Sequence, residues 1–269
     1  MISKRAAIWG VVALALAIWL FPRGQFGTDT GDARLGTLER IRTSGVARVG
    51  YANEAPFAYY DSSAGRLTGE APEVARVLLG QLGVRRIEGV LTDFGSLIPG
   101  LQAGRFDLIA AGMYITPPRC QQVLFSNPTY AIGEALLVRA GNPLALHAYD
   151  DLIALPEARL GVVTGTVQIG YARSLGIAPT RLLVLPDPPS ALAALEADRI
   201  DAYAATALTA QDLLQRRAND RVERAQPFTN PRINGKDARG YGAFALRLED
   251  IALRRLIDAQ LAAFLGTPA

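Results

Sequence analysis

The sequence predicts two α/β lobes, each a mainly parallel sheet flanked by helices, joined by a two-strand hinge. Strand-like and helix-like segments alternate along the chain, which is typical of parallel sheets covered by helices on both faces. The chain also repeats itself: segment 96–111 aligns without gaps with segment 190–205, and segment 47–50 resembles segment 158–161. Two matches in the same order predict two related lobes.

The segments of the first lobe alternate between strand and helix. Apolar residues recur at helical spacing from Glu70 to Leu82. Ser96 is a residue type that caps helix N-termini, and Gly104 is a type that ends helices. The predicted elements are strands at 47–52, 87–91 and 106–111, and helices at 70–82 and 96–102.

The second lobe repeats this order, and the chain then returns to the first. We predict a strand from Leu160, a helix after Thr164-Gly165-Thr166, strands at 182–185 and 200–205, and a helix at 190–197, followed by a strand at 241–246 and a helix at 249–265. Segments 134–139 and 239–246 are the predicted crossovers, and a chain that crosses twice forms a hinge around which a cleft can close. The predicted domains are a first lobe of 37–136 and 242–269, and a second lobe of 137–241 that includes the crossovers.

The N-terminus has the features of an export signal. Lys4 and Arg5 precede an apolar run from Ala6 to Phe21, which is typical of a secretory h-region. The residues that follow lack a clear small-x-small cleavage site. We therefore predict a signal peptide or an uncleaved N-terminal membrane anchor over 1–21, with a flexible tether over 22–36. Both place the body of the protein outside the cytoplasm; a buried N-terminal helix is the remaining alternative.

Composition argues against several classes of function. With 28 basic and 25 acidic residues the net charge is +3, and no basic stripe interleaved with aromatics marks a nucleic-acid partner. A metal site needs clustered ligands, and the chain has one cysteine, Cys120, and one histidine, His147. We expect Cys120 to be a small buried residue and His147 a surface residue. No metal, cofactor or catalytic residue is predicted.

Arg119 is a candidate for binding a carboxylate. It follows Thr116-Pro117-Pro118, where threonine can cap a helix and proline suits its first turn. A guanidinium there could hold a ligand carboxylate through two parallel hydrogen bonds. Thr164-Gly165-Thr166, between a strand and a helix of the other lobe, could hold the same carboxylate. The alternatives are a surface ion pair for Arg119 and an ordinary helix cap for the threonines.

Three aromatic residues, Phe57, Phe94 and Tyr114, fall on separate turns that follow strands of the first lobe. Loops of this kind converge at the edge of a sheet, and several aromatic faces around one site suit a delocalised cation. Glu54 lies on the same turn as Phe57 and would supply a countercharge. The alternatives are core positions for the aromatics and a solvated carboxylate for Glu54.

Several strings in the first lobe resemble a known family. They are Gly-Tyr-Ala-Asn-Glu-Ala-Pro-Phe at 50–57, the segments 94–101 and 111–117, and then Arg119, 125–128 and 132–134. Together they resemble the type-3 extracellular solute-binding proteins of ABC importers over about residues 38–266. Asn-Glu-Ala-Pro-Phe with Gly-Met-Tyr-Ile-Thr-Pro-x-Arg-Cys is similar to the ectoine/hydroxyectoine-binding subgroup.

This resemblance implies the type II periplasmic-binding-protein fold, an ABC permease in the membrane as partner, and a monomer that holds its ligand between the lobes. Amino-acid receptors of this type usually place an aspartate about five residues after the position of Asp201, where it pairs with an ammonium. Here that position is Thr206, which cannot neutralise a buried charge. The predicted ligand contacts are Glu54, Phe57, Phe94, Gly112, Tyr114 and Arg119, with Thr164, Thr166 and Thr206 from the second lobe.

The predicted function is capture of ectoine, hydroxyectoine or a similar small zwitterionic compatible solute by cleft closure, without catalysis. Glycine betaine and proline betaine fit the same reasoning. The alternatives are a receptor for polar amino acids, a tethered ligand sensor, and a cyclohexadienyl-dehydratase-like enzyme on the same scaffold. For the enzyme, Glu54 is the only obvious general acid, and the sequence offers it no second catalytic partner.

Overall fold

The structure is a computed structural model that describes residues 36–217 and 220–266. The predictions of a signal peptide or anchor over 1–21, and of a tether over 22–36 apart from Gly36, lie outside the described residues. None of the described helices is long and apolar enough to span a membrane.

Fifteen strands are described, and short helices separate many of them. The helices are α1 (Thr37–Ser44), α2 (Glu70–Gly80), α3 (Leu97–Gln102), α4 (Pro117–Cys120), α5 (Tyr149–Ala154), α6 (Val167–Ser174), α7 (Pro188–Glu196), α8 (Ala207–Gln215) and α9 (Ile251–Gly266). The strands are β1 (Val46–Tyr51), β2 (Tyr59–Asp61), β3 (Arg66–Thr68), β4 (Arg86–Leu91), β5 (Leu108–Tyr114), β6 (Leu124–Phe125), β7 (Tyr130–Ile132), β8 (Glu134–Arg139), β9 (Leu160–Val163), β10 (Leu182–Leu185), β11 (Ala202–Thr206), β12 (Val222–Arg224), β13 (Arg232–Ile233), β14 (Lys236–Asp237) and β15 (Gly240–Leu246).

Two larger sheets form the two lobes. The sheet of lobe 1 has the order β4-β1-β5-β15-β6, with β7 also paired to β15, and the sheet of lobe 2 has the order β10-β9-β11-β8-β12. In each sheet three neighbouring strands run parallel and the next strand runs antiparallel to them. The prediction of two α/β lobes is confirmed.

The sequence repeat occupies equivalent places in the two sheets. Gly50 of β1 pairs with Ile109 of β5, and Gly161 of β9 pairs with Tyr203 of β11. The gapless alignments superpose these same residues, Gly50 on Gly161 and Ile109 on Tyr203. The repeat therefore reproduces strand register as well as strand order.

The recurring Arg and Asp of the repeat form the same connection in both lobes. The backbone N–H of Arg48 donates to Asp107 Oδ2 over 2.8 Å, and that of Arg159 donates to Asp201 Oδ2 over 2.8 Å. In lobe 1 the fully buried Asp107 also pairs with the guanidinium groups of Arg40 and Arg48. This part of the repeat has a structural role.

The predicted crossover segments prove to be strands inside the sheets. β8 pairs on both sides within lobe 2, and β15 pairs with three strands of lobe 1. Both are mostly buried because their residues are largely apolar. The chain therefore changes lobes at Gly133 and between Arg224 and Gly240, where Asn230 Oδ1 accepts from the Glu134 N–H over 2.8 Å. The wider domain bounds stay a prediction.

Two smaller predictions are wrong. Cys120 is exposed, because it ends a one-turn helix that buries none of its residues. Ser96 forms no side-chain cap, because it already lies in a 3₁₀ turn, Phe94–Ser96, that leads into α3. His147 is half-buried, with its Nδ1 2.9 Å from the Pro227 carbonyl oxygen.

Candidate ligand-binding site

A cavity lies between the two lobes and encloses about 300 Å³ of empty space, including its opening to solvent. Lobe 1 lines it with Glu54, Phe57, Phe94, Gly112, Tyr114 and Arg119, and lobe 2 with Thr166, Val167, Gln168 and Thr206. The structure thus brings together all the predicted contact residues except Thr164; their contact with a ligand remains a prediction.

Arg119 lies where the lobes meet. Its Nη1 donates to the Tyr114 carbonyl over 2.7 Å, and its Nη2 donates to the Gly165 carbonyl of lobe 2 over 2.9 Å. The guanidinium also lies over the Phe94 ring, 5.5 Å from its centroid. Burial lowers the pKa of Arg119 to about 10, so the group stays charged at neutral pH. Among the described residues no carboxylate forms an ion pair with it, which argues against the surface-ion-pair alternative.

Glu54 forms a second link between the lobes. Thr209 Oγ1 of lobe 2 donates to Glu54 Oε1 over 2.8 Å, and Thr206 Oγ1 donates to Thr209 Oγ1 over 2.9 Å. Burial raises the pKa of Glu54, while the hydrogen bond from Thr209 and the charge of Arg119 act to lower it. The Glu54 carboxyl group is therefore fixed in the cavity wall by a hydrogen bond. This argues against the alternative of a solvated loop carboxylate.

The aromatic residues of lobe 1 form a packed group beside these charges. Phe57 stacks on Tyr130 with ring centroids 4.9 Å apart, and Tyr114 meets Tyr130 edge-on at 6.3 Å. Gly112 has a φ of +64°, and a Cβ there would lie 2.7 Å from the Phe57 ring, so only glycine fits. The Tyr130 hydroxyl donates to the Gly112 carbonyl over 2.7 Å. Tyr130 was not predicted from the sequence, because no feature other than its aromatic side chain marks it as a residue of the site.

The three residues of the turn Thr164-Gly165-Thr166 have different surroundings. Thr166 lines the cavity, but its hydroxyl donates to the Val163 carbonyl over 2.7 Å, so it forms no side-chain cap. Thr164 lies against Gly95 at the contact between the lobes, where its Oγ1 would be 3.3 Å from a Cβ added to Gly95. Gly165 approaches Gly95 so closely that a Cβ on Gly165 would lie 2.4 Å from the Gly95 Cα. The lobes are closed on each other at this point.

Glu134 is the main residue that sequence reasoning missed. It is 1% exposed and lies directly opposite Thr206 in the antiparallel pair of β8 and β11. Gln168 Nε2 donates to Glu134 Oε2 over 2.6 Å. Burial raises the pKa of Glu134 to about 8, since the Gln168 hydrogen bond offsets it only in part and Glu54 adds repulsion.

A carboxyl group on the neighbouring strand, that of Glu134, therefore compensates for the absence of an aspartate at position 206. A carboxylate reaches the same place on β8, so Thr206 alone does not show that lobe 2 lacks a countercharge for a cation. The available signal was a single acidic residue opening an otherwise apolar strand, Glu134 before 135–138. Such a residue is almost never fully buried unless it has a partner.

The described residues contain no group of three or more His, Cys, Asp or Glu side chains that could hold a metal ion. A comparison with protein families matches residues 47–265 to the bacterial extracellular solute-binding proteins, family 3. The chain belongs to this family. The two-lobed architecture of this solute-binding protein is thus the type II periplasmic-binding-protein fold that the resemblance implied.

Individual proteins similar to this solute-binding protein differ in what they are named for. The probable amino-acid ABC transporter periplasmic-binding protein y4tE of Sinorhizobium fredii is 38% identical over 259 residues, which are 96% of this chain and 83% of that protein. The structure of EhuB in complex with hydroxyectoine is 36% identical, with a TM-score of 0.78 over 84% of this chain and 86% of that one. The ancestral amino acid-binding protein AncCDT-1, a precursor of cyclohexadienyl dehydratase, is 27% identical, with a TM-score of 0.73 over 86% of this chain and 94% of that one.

Proposed function

We propose that this solute-binding protein is the receptor of an ABC importer and captures a small zwitterion by closing its lobes, with ectoine or hydroxyectoine as the favoured ligand. The observation that carries the proposal is the placement of Arg119 and Glu54 in the wall of one small cavity. A zwitterion needs a fixed cation for its carboxylate and a fixed carboxylate for its cationic end, because burying either charge alone is costly.

The aromatic residues favour a cation whose charge is spread over a ring. Phe57, Phe94 and Tyr114 line the cavity together with Glu54, and each aromatic face contributes about 0.5–2 kcal/mol to a cation placed over it. The amidinium of ectoine is a planar cation of this kind. The similarity to EhuB, solved with hydroxyectoine, supports the same ligand class.

A polar amino acid is the second candidate ligand, and Glu134 is the observation that favours it. Its carboxylate lies opposite Thr206 and could pair with an α-ammonium group. The similarity to a probable amino-acid ABC transporter protein points the same way. Both candidates use Arg119 for the carboxylate.

In this proposal the protein works outside the cytoplasm as a monomer and delivers its ligand to a permease in the membrane. The segment 1–21 directs export, either as a cleaved signal peptide or as a retained anchor. The ligand leaves chemically unchanged. A sensor would bind the same ligand but would pass the signal to a partner other than a permease.

Calorimetric titration of the purified protein tests the proposal. The panel is ectoine, hydroxyectoine, glycine betaine, proline betaine, proline and several polar amino acids, and mass spectrometry of the recovered ligand checks for turnover. We expect one stoichiometric site for ectoine or hydroxyectoine and unchanged ligand after incubation. Tighter binding of an amino acid would show that the ligand is not ectoine or hydroxyectoine, and the proposed receptor function would stand. Conversion of a prephenate-like compound would instead favour the dehydratase alternative.

A further inference from the structure

Glu134 faces the same side of its sheet as a residue of the cavity wall. Side chains alternate along a strand, and Leu136, two residues further along β8, packs with Ala204 of β11 in one hydrophobic cluster. Glu134 and Thr206 continue these two rows and are directly paired. Opposed residues on one face have Cβ atoms about 4.5–5.5 Å apart. Since Thr206 lines the cavity, Glu134 lies immediately beside it.

One oxygen of this carboxylate has a partner and the other does not. Oε2 accepts from Gln168 Nε2, and Gln168 itself lines the cavity. Oε1 is buried and has no hydrogen-bond partner among the residues that the structure describes. A buried acceptor without a donor is unfavourable, because it has lost its hydrogen bonds to water. A donor at this point would therefore be bound with a gain that a group lacking N–H or O–H could not provide.

The charges around Glu134 also leave it without a countercharge. Of the described charged groups, only Glu54 acts on the Glu134 carboxyl, and it has the same sign. The remaining titratable neighbours are phenols whose pKa values are all raised by burial, so that they stay neutral: Tyr114, Tyr130, Tyr149, Tyr171 and Tyr203. Two carboxyl groups, those of Glu54 and Glu134, thus lie at or beside the cavity, whose lining contains one cationic residue, Arg119.

We propose, on the basis of the proposed function, that Glu134 is a specificity-determining residue whose free oxygen accepts a hydrogen bond from an N–H group of the cationic end of the ligand. The site then takes small zwitterions whose cation carries N–H, such as an amidinium or a protonated amine. It disfavours quaternary ammonium zwitterions, which satisfy the aromatic faces but leave Oε1 without a donor. The betaines, which share the charge pattern of the favoured ligands, are therefore expected to bind more weakly.

The competing explanation is that Glu134 only stabilises the fold and makes no contact with the ligand. The hydroxyl groups of Tyr114 and Tyr149 are also buried without a partner among the described residues, and both phenols are close enough to Glu134 to interact with its charge, so either hydroxyl is an alternative donor for Oε1. In that case Glu134 would stabilise lobe 2 and would not distinguish between ligands. Tyr149 does not line the cavity, so Tyr149→Phe removes one such hydroxyl without changing the proposed ligand contacts.

The test compares wild type, Glu134→Gln and Tyr149→Phe by calorimetry with ectoine, proline and proline betaine. Glutamine keeps the shape and can still accept from Gln168, but it loses the charge and replaces the free oxygen by an N–H₂ group. In wild type we expect ectoine to bind at least tenfold more tightly than proline betaine. Glu134→Gln should weaken ectoine binding at least tenfold without lowering the melting temperature at the pH of the titration, and Tyr149→Phe should leave the ectoine affinity unchanged.

The pH dependence of affinity gives a readout that a structural role would not move. A cation binds the ionised carboxylate, so in wild type the affinity should rise by up to tenfold per pH unit between about pH 6 and 8 and level off above. This slope should disappear in Glu134→Gln, although Glu54 is unchanged there. Equal ectoine affinity and pH slope in wild type and Glu134→Gln would overturn the inference.

Equal binding of ectoine and proline betaine by wild type would overturn it as well. Either result would leave the receptor function in place, because ectoine would still bind. A complete lack of binding across the three ligands and the wider panel would overturn the proposed function and this inference with it.

Discussion

Arg119 of lobe 1 donates a hydrogen bond from Nη2 to the Gly165 carbonyl of lobe 2 over 2.9 Å. The same guanidinium lines the cavity, so one side chain both joins the lobes and offers its remaining donors to a ligand. A guanidinium has five N–H donors in a fixed fork. Binding of a carboxylate at Arg119 would therefore be coupled to closure of the lobes.

Removal of the Arg119 side chain should weaken ligand binding strongly. We expect Arg119→Ala to cost about 1–3 kcal/mol, which is several-fold to about a hundredfold in affinity, because a charge-assisted hydrogen bond is lost. Arg119→Lys should recover only part of this, since an ammonium cannot reproduce the fork. Calorimetric titration measures both. Normal binding by Arg119→Ala would show that the carboxylate is held elsewhere.

Gly165 should be essential for closure for a steric reason. A Cβ at this position would lie 2.4 Å from the Gly95 Cα across the lobes. We expect Gly165→Ala to raise the ligand Kd at least tenfold, because the closed state becomes too crowded. Gly176→Ala is the matched control: its φ is +91°, compared with +74° at Gly165, but no atom lies within 4 Å of the added Cβ. Equal effects on affinity from the two variants would contradict the closure argument.

Thr209 tests the second link between the lobes without changing the cavity wall. Its hydroxyl donates to Glu54 and accepts from Thr206. Thr209→Val keeps the shape but leaves a buried carboxylate oxygen without its donor, so we expect a loss of about 1–3 kcal/mol in the free energy of closure. Small-angle scattering with and without ligand, together with calorimetry, measures it. The exposed Thr180→Val serves as control and should behave as wild type.

The buried Asp107 should matter for stability and not for binding. It pairs with Arg40 and Arg48 and is fully buried. Asp107→Asn removes the carboxylate charge beside these cations and should lower the free energy of unfolding by about 3–5 kcal/mol. Asp198→Asn, at a side chain 73% exposed, should change it by less than about 0.5 kcal/mol. Urea unfolding distinguishes the two, and a small effect at Asp107 would contradict the structural role.

The stability of the ligand-free protein should fall as pH rises through the range set by Glu134. Burial raises its pKa from 4.5 to about 8, so the folded state binds more protons than the unfolded state between these values. Stability is therefore fully present below about pH 4.5 and is lost as pH rises to about 8. Melting temperatures recorded over this range should show the decline in wild type and a flatter profile in Glu134→Gln. Identical melting-temperature profiles in the two proteins would show that a group other than Glu134 takes up the proton.

Much of the fold was predictable because the repeat records topology. The match between 96–111 and 190–205 places equivalent helices and strands in the two lobes. Asp107 and Asp201 accept equivalent hydrogen bonds from the backbone N–H groups of Arg48 and Arg159. The crossovers were misplaced because a buried apolar strand reads the same whether it joins two lobes or lies within one. Pairing of β8 with both β11 and β12 is a long-range property that no local pattern contains.

The candidate site was predictable where its residues closely follow strands, as Glu54 and Phe57 do on the turn after β1 and Arg119 does on α4 after β5. Glu134 was missed because its significance depends on its partner across the sheet. Opposite Thr206 it becomes a second carboxylate beside the cavity, whereas along the chain it is one acidic residue at the start of an apolar segment. Thr164 does not line the cavity, because adjacent residues of one turn face different surfaces, one the cavity and one Gly95.

A crystal structure of the protein grown with ectoine would show directly whether Arg119 and Glu54 hold the two charged ends of the ligand. We expect lobes closed on one ectoine molecule, with its carboxylate about 2.7–2.9 Å from the Arg119 guanidinium. The ring should lie between Phe57, Phe94 and Tyr114, with Glu54 at the amidinium. A ligand bound outside this cavity, or one whose carboxylate points away from Arg119, would contradict this expectation.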